Sequence, residues 1–167
     1  FLAISLSELA NISERRIERL VNPQLSGLQP FLAKNSGINS GYMIAQYTAA
    51  CLASENKILA SPASVDSIPS SANQEDHVSM GAIAARKAGE IVENLRNVLA
   101  IEMMCAVQAI DLQPPGRLGK GTEVAYKMIR EIVPTMETDR VTYIDINKIA
   151  DILKSGHMIE NVMNVLS

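Results

Sequence analysis

The residues best suited to chemistry lie in one short segment at residues 73–77. Glu75, Asp76 and His77 can each bind a proton, and the segment ends a loop rich in Ser and Pro at 60–76. Long loops inside compact chains are usually functional or disordered. The segment also precedes a predicted helix, whose N-terminal N–H groups and dipole favour negative charge. We therefore expect polar chemistry to be concentrated here.

Each of these three residues also has a purely structural interpretation. Asp76 can cap the helix, Glu75 can be a solvated charge at the positive helix end, and His77 can be a hydrogen-bonding residue of the first turn. A metal site with three ligands is not expected, because consecutive side chains at a loop–helix junction point in different directions. The residues alone leave both a structural and a functional role open for Glu75.

The composition predicts a folded protein and disfavours several classes of function. The chain has 167 residues, 47% of them hydrophobic and 20% charged, which suits one domain with a sizeable core. A net charge of −3 with dispersed Lys and Arg, and only 4% aromatic residues, gives no basis for nucleic-acid binding. Apolar runs are short and interrupted, so no membrane span is predicted.

The two cysteines, Cys51 and Cys105, both fall inside predicted helices. Free cysteines are among the most buried residues, so we expect two reduced, buried thiols. The sequence alone leaves a disulfide open. Neither cysteine belongs to a CxxC or Cys/His cluster, so a structural zinc site is not expected.

Hydrophobic spacing predicts helices in the first sixty residues. An opening helix is expected to end at Pro23, and a connector at 22–39 leads to a second helix at 40–59, capped by Asn39. The buried face of the first helix is predicted to consist of Leu2, Leu6, Leu9, Ile12 and Arg16. One side of the second helix, where small residues let another helix approach, carries Met43, Tyr47, Ala50 and Ser54.

The longest predicted helix runs from His77 to Leu112. One face holds Ile91, Leu95, Leu99, Met103, Ala106 and Ile110. About 36 residues at 1.5 Å each span roughly 54 Å, which exceeds a compact domain with a radius of gyration of about 15 Å. We therefore expect this face to be incompletely covered by the chain itself, to pack against helices from elsewhere, and to drive self-association of the isolated chain.

Shorter helices are predicted in the remainder. Pro114-Pro115-Gly116 ends the long helix, Thr122 caps a helix that reaches Val133, and a final pair at 145–154 and 157–166 is divided by a C-cap at Gly156. Residues 118–122 resemble a phosphate loop but lack its spacing and a preceding strand. Residues 141–144 hint at a strand too short to build a sheet. The fold class is therefore all-α, with 1–112 and 113–167 as its two regions.

Several motifs together resemble a known family. They lie at 13–16 (SERR), 39–46 (NSGYMIAQ), 54–57 (SENK), 62–69 (PASVDSIP) and 73–81 (NQEDHVSMG). These segments look like those of the histidine ammonia-lyases, which belong to the aromatic amino acid ammonia-lyases. The resemblance is densest from residue 22 to residue 111 and continues more weakly to the end of the chain.

The resemblance implies a fold and an activity that the composition does not. It implies a long-helix bundle of the L-aspartase/fumarase-like ammonia-lyase fold, assembled as a cytoplasmic homotetramer whose active sites each draw on three subunits. The implied reaction removes ammonia from L-histidine and gives trans-urocanate, with no metal. The implied electrophile is a methylidene-imidazolone formed from an internal Ala-Ser-Gly tripeptide.

The sequence departs from the family in what it lacks. No Ala-Ser-Gly occurs in the 167 residues, and the family's upstream tyrosines, catalytic Asn and Gln/Tyr/Arg substrate loop are also absent. The match therefore covers about the C-terminal third of such an enzyme, and we expect the isolated chain to be inactive. A tyrosine or phenylalanine lyase, an aminomutase, and a non-catalytic helical scaffold are the alternatives.

The resemblance also suggests which residues act. Glu75 matches a position that reaches the active site, where a carboxylate is typical of the histidine lyases and Gln of the phenylalanine lyases. It is the expected catalytic residue, either as a base or as a group that orients the substrate. Met43 matches a position that lines the pocket, and Tyr47, one helical turn further on, faces the same way and is expected to line it too. Gln74, the remaining residue expected at the substrate-binding site, is expected to hold the loop rather than to touch the substrate.

Overall fold

The computed structural model describes residues 1–114 and 116–167. Within these residues it contains seven α-helices, one 3-10 turn and two isolated β-bridges, so the all-α prediction is confirmed. The α-helices are α1 (Leu2–Val21), α2 (Pro23–Ser26), α3 (Met43–Leu59), α4 (Gly81–Asp111), α5 (Lys120–Ile132), α6 (Tyr143–Ser155) and α7 (His157–Leu166), and the 3-10 turn is Pro30–Leu32. No helix in the described part of the chain is both long and apolar enough to cross a bilayer.

Helix α4 is the central element of the fold. Helices α1 and α3 pack against it and against each other, α6 packs against it as well, and α5 and α7 pair beside them. The C-terminal half of α4 is buried on nearly every side, through Ala100, Ile101, Glu102, Met104, Cys105, Val107, Gln108 and Ala109. A helix that is enclosed in this way fixes the positions of the segments that surround it.

Two buried polar side chains of α4 join it to the rest of the chain. The carboxylate of Glu102 accepts a hydrogen bond from Ser13 Oγ at 2.6 Å and lies 2.8 Å from Arg16 Nε. Gln108 is fully buried, and its amide nitrogen donates to the carbonyls of Leu32 at 3.2 Å and Met136 at 3.0 Å. Buried polar groups require such partners, so these contacts fix how the connecting segments lie on α4.

The predicted buried face of α1 is wrong at most of its positions. Leu2, Leu9 and Ile12 are exposed. The helix instead buries Ser7, Ala10, Ser13, Glu14, Ile17 and Val21. Near its N-terminus α1 buries small side chains, which let it approach its neighbours closely, and it buries the larger Ile17 and Val21 towards its C-terminus.

Helix α3 shows a similar difference. Its buried residues are Ala45, Ala49 and Asn56. Tyr47 and Ser54, on the side where another helix was expected, are exposed. Alanines spaced by four residues form the inner face because they allow the backbone of α3 to lie close to α1 and α4.

The long helix begins later than predicted. It starts at Gly81 rather than His77, so Asp76 is not its N-cap and His77 is not in its first turn. Met80 precedes it with φ 48°, a left-handed conformation that interrupts the helix. The 31 residues still span roughly 46 Å at 1.5 Å each.

The apolar face of α4 is covered unevenly. Ile91 and Leu95 are buried by the chain itself. Leu99, Met103, Ala106 and Ile110 are half-buried. The helix ends at Asp111, and Pro115 of the predicted stop lies outside the described residues.

Local capping signals had mixed outcomes. The end of α1 before Pro23 and the C-cap at Gly156, with φ 78°, are confirmed. The N-caps at Asn39 and Thr122 are wrong, because α3 begins at Met43 and α5 begins at Lys120. The strand hint at 141–144 is not realised, because α6 already begins at Tyr143.

The cysteines differ from each other. Cys105 is buried as expected, and burial raises the pKa of its thiol well above the ordinary value. Cys51 is exposed, so its predicted burial is wrong. Both thiols are free. The division of the chain at residue 112 stays a prediction.

Candidate active site

The loop between α3 and α4 folds into a narrow hairpin around Glu75. The N–H of Ser70 donates to the carbonyl of Glu75 at 2.9 Å, and the N–H of Glu75 donates back to Ser70 at 3.2 Å. Between them Ser71, Ala72 and Asn73 have φ of 52°, 56° and 65°. Left-handed φ is unfavourable for residues with a Cβ, so this turn persists only because surrounding contacts hold it.

A second contact closes the loop nearer its base. The hydroxyl of Ser67 accepts a hydrogen bond from the N–H of Val78 at 3.0 Å and lies 3.3 Å from the Val78 carbonyl oxygen, to which it donates. Lys87 from α4 donates to the carbonyl of Ser61 at 2.5 Å. Three sets of hydrogen bonds therefore hold the loop: Ser61 to Lys87, Ser67 to Val78, and Ser70 to Glu75.

The side chains of residues 74–77 are open to solvent in this chain. Gln74, Glu75, Asp76 and His77 are all exposed. None of the ion pairs found among the described residues involves Glu75. No group of three potential metal ligands occurs in the described part of the chain. The arrangement presents a carboxylate outward from a fastened backbone, where it can act on a group brought by another surface.

Met43 lies in a different environment at the start of α3. It is half-buried and lines a cavity of about 440 Å³. The other lining residues are Pro30, Phe31, Ser36, Gly37, Ile38, Asn39 and Ser40. Tyr47, Gln74 and Glu75 are not among them, so the four predicted site residues do not share this cavity.

A tight turn before α3 fixes the position of Met43. Gly41 has φ 55°, and a Cβ at this position would lie 2.5 Å from the carbonyl oxygen of Phe31 and 2.9 Å from the Cβ of Ala33. The N–H of Tyr42 donates to the same Phe31 oxygen at 2.9 Å. Only glycine fits between the two segments.

Asp139, which lies about a hundred residues further along the chain, forms hydrogen bonds with the same turn. Its carboxylate accepts hydrogen bonds from the backbone N–H of Ser40 at 2.7 Å and of Gly41 at 2.8 Å. Its own N–H donates to Asn39 Oδ1 at 3.2 Å. Charge-assisted bonds of this kind are stronger than neutral ones. Sequence analysis missed Asp139, because its partners are backbone groups about a hundred residues away and leave no local pattern.

Tyr42, between this turn and Met43, is held in place by burial of its side chain. Tyr42 is fully buried, and burial raises the pKa of its phenol, with the nearby Cys105 adding to the effect. The phenol is therefore neutral at physiological pH. A buried aromatic ring at this position fixes the first turn of α3 relative to the core.

A larger cavity of about 660 Å³ lies away from the predicted site residues. It is lined by Met103, Gly119, Lys120, Gly121, Thr122, Ala125, Met158, Ile159, Val162, Met163 and Leu166. Lys120 is the one titratable residue in this lining. The lack of paired acid, base or nucleophilic groups makes it a poorer candidate for catalysis than the Glu75 loop, despite its size.

Sequence comparison with known proteins identifies a family. The profile of the aromatic amino acid lyases matches residues 1–131. A histidine ammonia-lyase from Alkaliphilus oremlandii is 64% identical over 162 residues, which are 97% of this chain and 32% of that enzyme. The chain therefore spans about a third of the length of the curated relatives it matches.

Comparison with solved structures also finds members of this family. The histidine ammonia-lyase from Trypanosoma cruzi matches with a TM-score of 0.93 and 52% identity, over 98% of this chain and 32% of that one. The tyrosine aminomutase from Streptomyces globisporus matches with a TM-score of 0.91 and 38% identity, over 98% of this chain and 31% of that one. The fold thus corresponds to about a third of each of these two enzymes.

Proposed function

We propose that this chain, which belongs to the aromatic amino acid lyase family, is the C-terminal part of a histidine ammonia-lyase. The chain is more similar to the histidine lyases, at 64% and 52% identity, than to the tyrosine aminomutase at 38%. Because it spans about a third of its relatives, the activity is proposed for the whole protein. The isolated chain is expected to be inactive.

The proposed reaction is an elimination without oxidation or reduction. The bond between the α-carbon and nitrogen of L-histidine breaks, the β-carbon loses a proton, and a double bond forms between the two carbons. The products are ammonia and trans-urocanate. The reaction therefore needs a group that accepts the β-proton and groups that hold the imidazole and the ammonium.

The observation that carries this proposal is the carboxylate of Glu75 on its fastened loop. It is exposed and has no cationic partner among the described residues. A carboxylate can remove the β-proton as a general base. It can also orient the positively charged ammonium or the imidazole N–H of the substrate. Both roles stay open for Glu75.

Met43 and its neighbours are proposed to form the apolar side of the pocket. Met43 adapts its shape readily and can pack against the flat imidazole ring. Tyr47, one turn further along α3, extends this surface. Gln74 lies next to Glu75, and its backbone N–H donates to the Ser71 carbonyl at 3.2 Å, which supports a role in holding the tip of the loop.

The proposal includes a methylidene-imidazolone group, for which the 167 residues contain no Ala-Ser-Gly source. When present, that group supplies the electrophile that activates the amino group as a leaving group. An outward-facing carboxylate fits a site that other segments complete. The proposal also includes a homotetramer in the cytoplasm, on the basis of the family resemblance.

A sibling activity is the main alternative. The structural likeness to a tyrosine aminomutase keeps a tyrosine or phenylalanine lyase, or an aminomutase, as the second candidate. Glu75 and Met43 favour the histidine enzyme, since a carboxylate and a methionine at these positions resemble that branch. A non-catalytic scaffold is the remaining alternative.

The test uses the longest natural polypeptide that contains this chain. Ammonia release is measured with histidine, tyrosine and phenylalanine in parallel, and urocanate is followed by its ultraviolet absorbance. We expect release from histidine with an equal amount of urocanate. Release from tyrosine or phenylalanine alone would keep the family and overturn the substrate, and no release from any of the three would favour the aminomutase or the scaffold.

A further inference from the structure

We infer that Ser67 is a positioning residue for Glu75, an inference that rests on the proposed function. Ser67 is half-buried at the base of the hairpin, eight residues before Glu75. Its hydroxyl uses both of its hydrogen-bonding capacities on the backbone of Val78, at 3.0 Å and 3.3 Å. One side chain thus joins the two arms of the hairpin.

The Ser67 hydroxyl adds a second contact across the hairpin. Ser70 and Glu75 form the one backbone bridge across this hairpin. In an antiparallel hairpin such pairs alternate with pairs that exchange no hydrogen bonds, so the next bonding position would be that of Ile68 and His77. The Ser67 hydroxyl supplies the next contact across the arms, and the two contacts together enclose residues 68–69 and 76–77.

The position of Glu75 depends on this support. Its carboxylate is in none of the ion pairs among the described residues, so the backbone is what locates this residue. That backbone closely follows three residues with left-handed φ, from Ser71 to Asn73. Such a turn relaxes when the contacts that hold it are removed. Loss of the Ser67 hydroxyl is therefore expected to misplace Glu75.

The experiment compares variants of the full-length polypeptide. Ser67→Ala removes the hydroxyl, Ser67→Thr keeps it, and Ser64→Ala is the matched control, since Ser64 is an exposed serine of the same loop. We expect Ser67→Ala to lower kcat/KM for histidine by about tenfold or more, the scale of one or two lost neutral hydrogen bonds. Ser67→Thr should recover most of this loss, and Ser64→Ala should behave as the wild type.

A double-mutant cycle separates positioning from general stability. If Ser67 acts through Glu75, Ser67→Ala should have little further effect once Glu75→Gln is present. An equal loss in both backgrounds would overturn the inference, as would wild-type activity in Ser67→Ala. A merely structural role would lower activity in both backgrounds alike.

Amide hydrogen exchange gives a readout that does not require activity. We expect the Glu75 and Val78 amides to exchange about tenfold faster in Ser67→Ala, with the amides of α4 unchanged. Unchanged exchange in the loop would contradict the inference even if activity fell. A wild-type protein that is inactive on histidine would overturn the proposed function, and the catalytic part of this inference with it. Additive losses in an active enzyme would overturn the inference alone.

Discussion

Gly41 and Asp139 are 98 residues apart in the sequence and meet at 2.8 Å, through a backbone N–H and a carboxylate oxygen. Asp139 lies beyond residue 131, where the match to the family profile ends. The contact therefore makes a late segment of the chain responsible for the shape of the turn that precedes Met43. The start of α3 is fixed by tertiary contacts as much as by its own sequence.

This contact predicts a binding defect in Asp139→Ala. Two charge-assisted hydrogen bonds to Ser40 and Gly41 would be lost, and at an exposed position we expect a cost of about 1 kcal/mol. The turn before Met43 should loosen, and KM for histidine in the full-length enzyme should rise about fivefold. Steady-state kinetics measures this effect.

The control for Asp139 is Glu137→Ala. Glu137 pairs with Lys34 at 2.7 Å on the surface, where such pairs contribute little. We expect KM to change by less than about twofold. If both variants raised KM equally, the defect would come from a general loosening of the segment rather than from the Ser40–Gly41 turn.

Substitution of Gly41 is predicted to be severely destabilising. In Gly41→Ala the new Cβ would lie 2.5 Å from the Phe31 carbonyl oxygen, in addition to the cost of φ 55°. Gly27→Ala measures the cost of a positive φ alone. Gly27 has φ 70°, and a Cβ added there would meet no atom within 4 Å. We expect about 1 kcal/mol for Gly27→Ala and at least about 3 kcal/mol for Gly41→Ala.

Thermal unfolding of the full-length protein compares the two alanine variants. The midpoint of Gly41→Ala should fall well below that of Gly27→Ala, which should lie only slightly below the wild type. Equal midpoints would mean that the segment containing Phe31 can move away from residue 41 without cost. The turn would then not depend on the close approach of Gly41 to the Phe31 carbonyl.

A polar cluster at the end of α4 predicts a pH dependence of stability. Burial alone would raise the pKa of Asp111, but hydrogen bonds from Thr135 at 2.6 Å and Tyr126 at 2.5 Å, with the charge of Arg130, outweigh it and hold the pKa below its ordinary value. A group whose pKa is lowered on folding stabilises the protein above its unfolded pKa of about 3.9. That stabilisation is lost as the pH falls through the lower, folded pKa.

Asp111→Asn tests this dependence. The variant should be less stable than the wild type at pH 7 by about 1–3 kcal/mol, because Arg130 loses its partner. The difference should shrink as the pH falls below about 4, because Asp111 of the unfolded wild type then binds a proton that the folded state takes up only at lower pH. Denaturant unfolding between pH 7 and pH 3 measures it, and a difference that stays constant with pH would exclude Asp111 as the source.

Sequence patterns correctly predicted the helix ends that are determined by residues close to them in the chain. The end of α1 before Pro23, the C-cap at Gly156 and the bounds of α7 follow from backbone preferences that act within a few residues. The all-α class followed from hydrophobic spacing along the whole chain. These features need no knowledge of the tertiary structure.

The failed predictions involve long-range contacts. Asn39 does not cap α3, because its side chain is engaged by the carbonyl of Lys34 and the N–H of Asp139. The helix predicted from His77 begins at Gly81, since the Ser67 hydroxyl holds Val78 in the loop. Such contacts join residues far apart in sequence or depend on loop geometry, and neither leaves a periodic signal.

The candidate site was only partly accessible to sequence reasoning. The segment at 73–77 stands out by composition, but its exposure and its hairpin geometry do not follow from the residue types. The resemblance supplied Glu75, Met43, Tyr47 and Gln74 as candidates, and their roles stay predictions. The supporting roles of Ser67 and Asp139 emerge only from the folded arrangement.

The central claim is that Glu75 acts on the substrate, and the most direct test is turnover of histidine by Glu75→Gln in the full-length enzyme. Asp76→Asn is the matched control, since it removes a neighbouring exposed carboxylate from the same loop. We predict that Glu75→Gln keeps the fold and the assembly but lowers kcat by at least about 10², while Asp76→Asn changes it by less than about threefold. Near-normal turnover in Glu75→Gln would contradict the account and leave Glu75 as a solvated charge on an exposed loop.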